Sequence, residues 1–141
     1  MSKRIAKVEV FGVEVPLLGA GFKNAYITKT KQRSAVVRVT DEDGQVGLGN
    51  IDPSPGYSAE TIEQSLQVLA DTLAPAALDQ DTGNMHVLTA HLDQQLTHFL
   101  DAKAAIEMAV TDLLGRRHQL CVSSLLGGSV IEKVAFNAWI G

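Results

Sequence analysis

The spacing of apolar residues changes once along this chain, near Ser58, and that change constrains the fold more than any other feature. Before Ser58, apolar residues recur at every second position, as in strands with one buried face. After it, they recur at helical spacing. A sheet with one apolar face and helices with one apolar stripe must cover each other. Strands first and helices afterwards therefore predict an α+β fold: a three-stranded antiparallel sheet, a three-helix segment and one trailing strand.

In the first strand, Ala6, Val8 and Val10 alternate with Lys7 and Glu9. After Gly12 the apolar set becomes Val13 and Val15, which predicts a bulge or bend near Phe11-Gly12. Pro16 ends the pairing, because proline has no N–H for a ladder. Residues 17–25 are a glycine-rich loop. The second strand places Ala35, Val37 and Val39 on one face and Val36, Arg38 and Thr40 on the other. Asp41-Glu42-Asp43-Gly44 is a hairpin turn whose acids are expected in solvent. Val46 and Leu48 continue the third strand. Gly47 and Gly49 leave its opposite face bare, so another element can approach closely. A second loop, Asp52-Pro53-Ser54-Pro55-Gly56, follows.

In the helical part, Ser58 reads as an N-cap with Glu60 in the first turn. Ile62, Leu66, Leu69 and Leu73 form one stripe, stopped by Pro75. Met85, Leu88, Leu92, Leu96 and Phe99 form a second. Asp101 is expected to cap a third helix, whose broad face is Ala105, Ile106, Ala109, Val110, Leu113 and Leu114. Asp112 lies near the negative end of that helix and needs a partner; Arg116 is the nearest cation, at i+4. Residues 122–126 suit a short helical turn before Gly127-Gly128. Val134, Phe136, Ala138 and Ile140 read as a last strand. An apolar strand with open edges folds back or pairs with another copy, so a homo-oligomer is expected.

Composition narrows the function classes. With 45% hydrophobic and 20% charged residues, the chain is neither disordered nor fibrous. Its single cysteine, Cys121, excludes an intramolecular disulfide and a cysteine zinc site. Flanked by apolar residues, that thiol reads as buried and structural. His86, His91, His98 and His118 include no pair at i,i+3 or i,i+4 and read as surface or boundary residues, so no metal pair is expected. No apolar run approaches the ~18 residues of a membrane span, and the N-terminus leads into an alternating segment rather than a signal sequence. A soluble cytoplasmic protein with no membrane partner is expected.

Net charge is −4, but residues 1–40 hold eight Lys/Arg against two acids, and residues 41–141 hold four against fourteen. The basic half is not read as a nucleic-acid platform. Lys29, Lys31 and Arg33 alternate with uncharged residues like the solvated face of a strand, and stacking aromatics are absent. Gly47-Leu48-Gly49 is not a dinucleotide loop, because no helix begins directly after it and the third glycine is missing. The residues alone show no self-contained catalytic constellation.

Several segments in order resemble one family. They are the opening strand ending at Pro16, VVRVTDEDGQVGLG (36–49), PGYSAETIEQ (55–64), Leu73-Ala74-Pro75, AKAAIEMAVTDLLGRR (102–117) and SSLLGG (123–128). Together these resemble the N-terminal capping domain of the mandelate racemase and muconate lactonising branch of the enolase superfamily. Two positions depart from the family pattern: Asn50 stands where Glu is common, and Thr111 where Trp usually precedes Asp112.

The resemblance implies that residues 1–132 are a capping domain and 133–141 the first strand of a TIM barrel whose remainder is missing. It implies Mg²⁺-assisted removal of a proton α to a carboxylate, in a racemase, dehydratase or cycloisomerase. The barrel would supply the base and the metal ligands, so no catalytic or metal-binding residue is assigned in this chain, and the isolated chain is expected to be inactive. The cap would contact a small carboxylate substrate through loops 17–26 and 50–57, with Phe22, Lys23, Tyr26, Asn50 and Tyr57 as the candidate contacts. The alternative is a non-catalytic truncated fragment, or an oligomerisation or ligand-binding module.

Overall fold

Residues 3–19 and 21–136 are described in a computed structural model. Its main sheet is antiparallel, in the order β1 (Ile5–Pro16), β4 (Lys31–Asp41), β5 (Val46–Ile51). Between β1 and β4 the chain makes a small hairpin, β2 (Phe22–Lys23) with β3 (Thr28–Lys29), inside the segment read as loop.

The β1–β4 ladder runs unbroken from Lys7↔Thr40 to Pro16↔Lys31. The bulge predicted near Phe11-Gly12 is therefore not there. The register slips instead between Ile5 and Lys7, which turns Ile5 into the core and leaves Ala6 exposed. The apolar pattern changes after Gly12 for another reason. Beyond Leu66, which packs over Gly12, the inner face meets solvent, and Glu14, Arg33 and Glu63 form an ion-paired cluster there.

Ala35, Val37 and Val39 are fully buried, as the alternation predicts. Register places Gly49 and Gly47 opposite Val37 and Val39, so the bare glycine face and the valine face are one surface. Helix α4 (Leu100–His118) lies directly on it. A Cβ on Gly47 would sit 2.0 Å from the Ala109 carbonyl oxygen, and one on Gly49 2.0 Å from that of Ala105. The small residues of α4 face the glycines of β5, so the two backbones come into contact. Asp112 completes the seam: its Oδ2 accepts the Leu48 N–H at 2.9 Å and the Arg116 Nε–H at 2.8 Å. The expected Asp112–Arg116 pair is present, and the acid also serves the free edge of β5.

Helix α1 (Ile62–Val68) starts later than expected. Thr61, not Ser58, is the N-cap, in a reciprocal capping box with Gln64. Ser58 instead closes the preceding loop by accepting the Ser54 N–H at 3.2 Å. Pro75 does not stop the helical path. A π-helical turn, Leu69–Leu73, shifts the ladder immediately before it, and α2 (Ala74–Ala77) continues with Pro75 in its first turn. The shift accommodates a residue with no N–H to give and a ring that crowds the preceding turn.

Helix α3 (Met85–Gln95) ends before Leu96 and Phe99, which pack against the core from an irregular turn. Asp101 does not cap α4: Phe99 occupies the N-cap position with no side-chain bond, and Asp101 lies inside the first turn. Leu69, Leu73, Leu88, Leu92, Ile106, Val110 and Leu113 fill the space between helices and sheet.

Asp41 is not a solvated turn acid. It is 2% exposed, accepts the Asp43 and Gln45 N–H groups, and pairs with Arg117 at the end of α4. Asp43 adds contacts to Arg117 and Lys3, both at 3.1 Å, which hold its carboxyl below the usual range, Lys3 most strongly.

The short helix α5 (Val122–Leu125) matches expectation, but Cys121 before it is exposed. α5 buries none of its own residues, and among the described residues the thiol beside it is open to solvent. Its Sγ lies 3.1 Å from the Ser123 and Ser124 hydroxyls, which, Ser123 first, bring its pKa down to about 7. Of the trailing segment, Val134 and Phe136 are exposed and outside any strand; Ala138 and Ile140 lie outside the described residues.

Candidate functional site

Two loops meet beyond the end of the sheet. In the first, Asn24 makes a tight turn: its Oδ1 accepts the Tyr26 and Ile27 N–H groups, each at 2.9 Å. This is the local bonding that makes asparagine a turn residue, and it folds β2 back on β3. In the second, Tyr57 and Ser58 both donate their N–H to the Ser54 carbonyl. Gly56 sits at φ +85°, and a Cβ there would meet the Tyr26 ring at 2.7 Å. Glycine thus lets the second loop rest on the first. The contact is completed by an edge-to-face pair, Tyr26 with Tyr57, centroids 5.5 Å apart at 76°.

Between the loops is a cleft of about 400 Å³, with Leu17, Phe22, Ile27, Lys29, Asp52 and Tyr57 among its walls. Lys29 is its cation. The side chain is 15% exposed, donates to Ser54 Oγ at 2.9 Å, and lies 3.8 Å from Asp52 Oδ1.

Of the residues anticipated from sequence, Phe22 and Tyr57 line this cleft. Tyr26 braces Tyr57. Lys23 is exposed on β2 and Asn50 is exposed on β5 opposite Val36; neither is a cleft wall. Lys29, read from sequence as part of a solvated basic face, is the residue that was missed. It shares parity with Lys31 and Arg33, but the chain bends at Thr30 between β3 and β4, so parity does not carry across. The Asn24 turn, legible from residue type, marks the β2–β3 hairpin but not the bend at Thr30. Lys31 and Arg33 do lie on the surface, paired with Glu14 and Glu63.

The cleft presents an ammonium, a carboxylate, hydroxyls and aromatic walls, a set suited to recognition. The described residues do not fit a magnesium site: no three His, Cys, Asp or Glu side chains converge among them. Asp52 is the one carboxylate among the described cleft walls, 3.8 Å from Lys29, whereas Asp112 and Glu107 line a separate surface on α4 and bond to Arg116 and Leu48 and to Thr89. His86, His98 and His118 are exposed and His91 half-buried. Among the described residues no helix is long and apolar enough to cross a membrane.

Comparison with known proteins agrees with this architecture. Residues 6–127 match the family model for the mandelate racemase / muconate lactonizing enzyme N-terminal domain. Muconate cycloisomerase 1-1 of Acinetobacter lwoffii is 32% identical over 142 residues, covering 98% of this chain and 36% of that protein. The N-succinyl Arg/Lys racemase of Bacillus cereus superposes with a TM-score of 0.87 at 26% identity, covering 92% of this chain and 35% of that one. The dipeptide epimerase of Enterococcus faecalis, solved with Mg and the dipeptide L-Leu-L-Tyr, gives 0.82 at 30% identity, covering 89% and 35%. The chain thus spans about a third of the length of the curated relatives it matches. A sheet-then-helices fold, the glycine seam under α4 and a match over most of the chain lead to one assignment: it belongs to the mandelate racemase/muconate lactonizing enzyme family of the enolase superfamily, as an N-terminal capping domain.

Proposed function

We propose that this domain caps the active site of an enzyme that removes a proton α to the carboxylate of a small substrate, in a racemase, dehydratase or cycloisomerase reaction. The cleft contacts the part of the substrate distal to the reacting carbon. The observation that carries this reading is the convergence of Lys29, Phe22 and Tyr57 from two loops onto one cavity. An ammonium has three donors; Ser54 takes one, and Asp52, at 3.8 Å, is beyond hydrogen-bond length. An anionic or carbonyl oxygen entering the cleft finds a donor there, and the aromatic walls cover an apolar stem. A muconate cycloisomerase and a dipeptide epimerase among the relatives are in keeping with a carboxylate-bearing ligand.

In this reading Phe22 and Tyr57 are direct contacts, Tyr26 supports Tyr57, and Lys29 takes the place first given to Lys23. Closing two loops over a reacting carbon excludes water and strengthens the electrostatics beneath them. Abstraction of so weakly acidic a proton needs a base and stabilisation of the enolate. We assign the base and the magnesium ion to a barrel domain outside the described residues and expect this chain alone to be inactive.

Two experiments test the reading. Residues 17–57 of this chain, grafted into the muconate cycloisomerase of Acinetobacter lwoffii, are expected to change kcat/KM across a panel of mono- and dicarboxylates. An unchanged profile refutes the specificity role. The 141-residue chain with Mg²⁺ in D2O is expected to leave the α-protons of the same panel unexchanged; exchange would place catalysis within this chain.

A further inference from the structure

Helix α4 begins in an unusual way. His98 and Phe99, neither of them glycine, take positive φ values of 68° and 54°. Phe99, at the N-cap, offers no side-chain bond to the helix. A helix start leaves its first N–H groups without intrahelical partners. Here the partner comes from a residue some 40 positions earlier. Glu60 Oε1 accepts the Asp101 N–H at 2.7 Å, and Oε2 accepts the Ala102 N–H at 3.3 Å. Oε2 also accepts the Ser65 hydroxyl at 2.6 Å, which ties the same carboxylate to α1. Glu60 is 7% exposed, and the positive end of α4 suits its charge.

Glu60 lies three residues after Tyr57 and directly before Thr61, the N-cap of α1, so it stands between the loop and the helix. The other end of the loop is held by Ile51, 8% exposed in β5. We propose that Glu60 is a positioning residue for the cleft. By bridging the first turn of α4 to α1, it fixes the path of the 52–60 loop and thereby the Tyr57 ring against Tyr26. A core helix then sets one wall of the cleft without touching a ligand. The functional meaning rests on the cleft reading above, but the test reads the position of the loop and needs no ligand.

The chain has only two tyrosines, Tyr26 and Tyr57, so their NMR signals report the contact directly. In Glu60→Ala, the ring-current shifts of both tyrosines are expected to collapse toward random-coil values. Amides of Tyr57, Ser58, Asp101 and Ala102 should exchange at least tenfold faster, with Val37 and Val39 unchanged. Faster exchange at Asp101 and Ala102 alone, with the tyrosine signals and loop amides as in the parent, refutes the proposal and leaves Glu60 a cap only. Should Glu60→Ala fail to fold, Glu60→Gln and Ser65→Ala carry the test. The amide keeps one acceptor, and the serine variant removes one bond, so both are expected to shift the tyrosine signals partway. Unmoved signals in both refute the role even if the grafted loops alter the substrate profile, and a failed graft leaves these readouts intact.

Discussion

Strand β5 leads from one kind of contact to another. Along its length, Gly47 and Gly49 bring the backbone against that of α4, and no room is left for even a methyl group. Past its end, the chain enters the loop of Asp52, Ser54 and Tyr57, where side chains rather than backbones meet and an open cleft of about 400 Å³ remains. In the seam, close packing makes every added atom felt. Tyr57 of the cleft is 72% exposed and Tyr26, which braces it, 63%, so a substitution at either removes little buried area. A close-packed seam and an open cleft thus occupy adjacent stretches of one strand and its loop, and substitutions should separate them.

The largest effect is expected at the seam. Gly49→Val drives a branched side chain into the Ala105 carbonyl and should lower the unfolding free energy by about 3 kcal/mol or more, read by urea denaturation. Tyr57→Ala, in the cleft, should stay within about 0.5 kcal/mol of the parent. Comparable losses from the two would erase the distinction between the regions.

Next comes Asp41→Asn at the far end of α4. It leaves the half-buried Arg117 with only Asp43 and weakens two backbone bonds, for a loss of about 2 kcal/mol. A loss no larger than that of an exposed hairpin acid would show that the tip is not locked to α4. Asp112→Asn is milder, because its ion pair with Arg116 is partly exposed. About 1 kcal/mol is expected, because the neutral amide oxygen accepts the Leu48 N–H less strongly than the carboxylate and the attraction to Arg116 is lost. Faster amide exchange at Leu48 should accompany it.

The smallest effect on stability belongs to Cys121, outside both regions, yet its chemistry is sharply testable. The Ser123 and Ser124 hydroxyls favour the thiolate and bring the pKa down to about 7. The thiolate is the species that reacts. Iodoacetamide labelling should therefore reach half its plateau rate near pH 7 and slow as the pH falls below it. An ordinary thiol would reach that point near pH 8.5. A midpoint at the ordinary value would mean that the hydroxyls do not hold the sulfur in solution.

Much of the fold was legible in residue order. The alternation of Ala35, Val37 and Val39, the bare face of Gly47 and Gly49, the broad face of α4 and the Asp112–Arg116 pair are all local patterns, and all are in the structure. The two loops that form the cleft were legible as segments. Their side chains were only half so: Phe22 and Tyr57 line the cleft, whereas Lys23 and Asn50 do not. A loop has no period, and which way a side chain points depends on the turns before it. The bend at Thr30 separates Lys29 from Lys31 and cannot be read from their shared parity.

Sequence by itself determined which faces are apolar, because burial of alternating or helically spaced residues is a property of neighbouring positions. Only the tertiary structure decided the fate of the polar residues. Glu60 became the cap of a helix far along the chain, Asp41 a buried partner of Arg117, and Lys29 the cation of a cleft. Cys121 took the opposite course, into solvent. The physical reason is the same in each case. An apolar side chain needs only to leave water, which any neighbour allows, whereas a buried charge needs a specific partner at bonding distance. Such a partner is brought there by the fold.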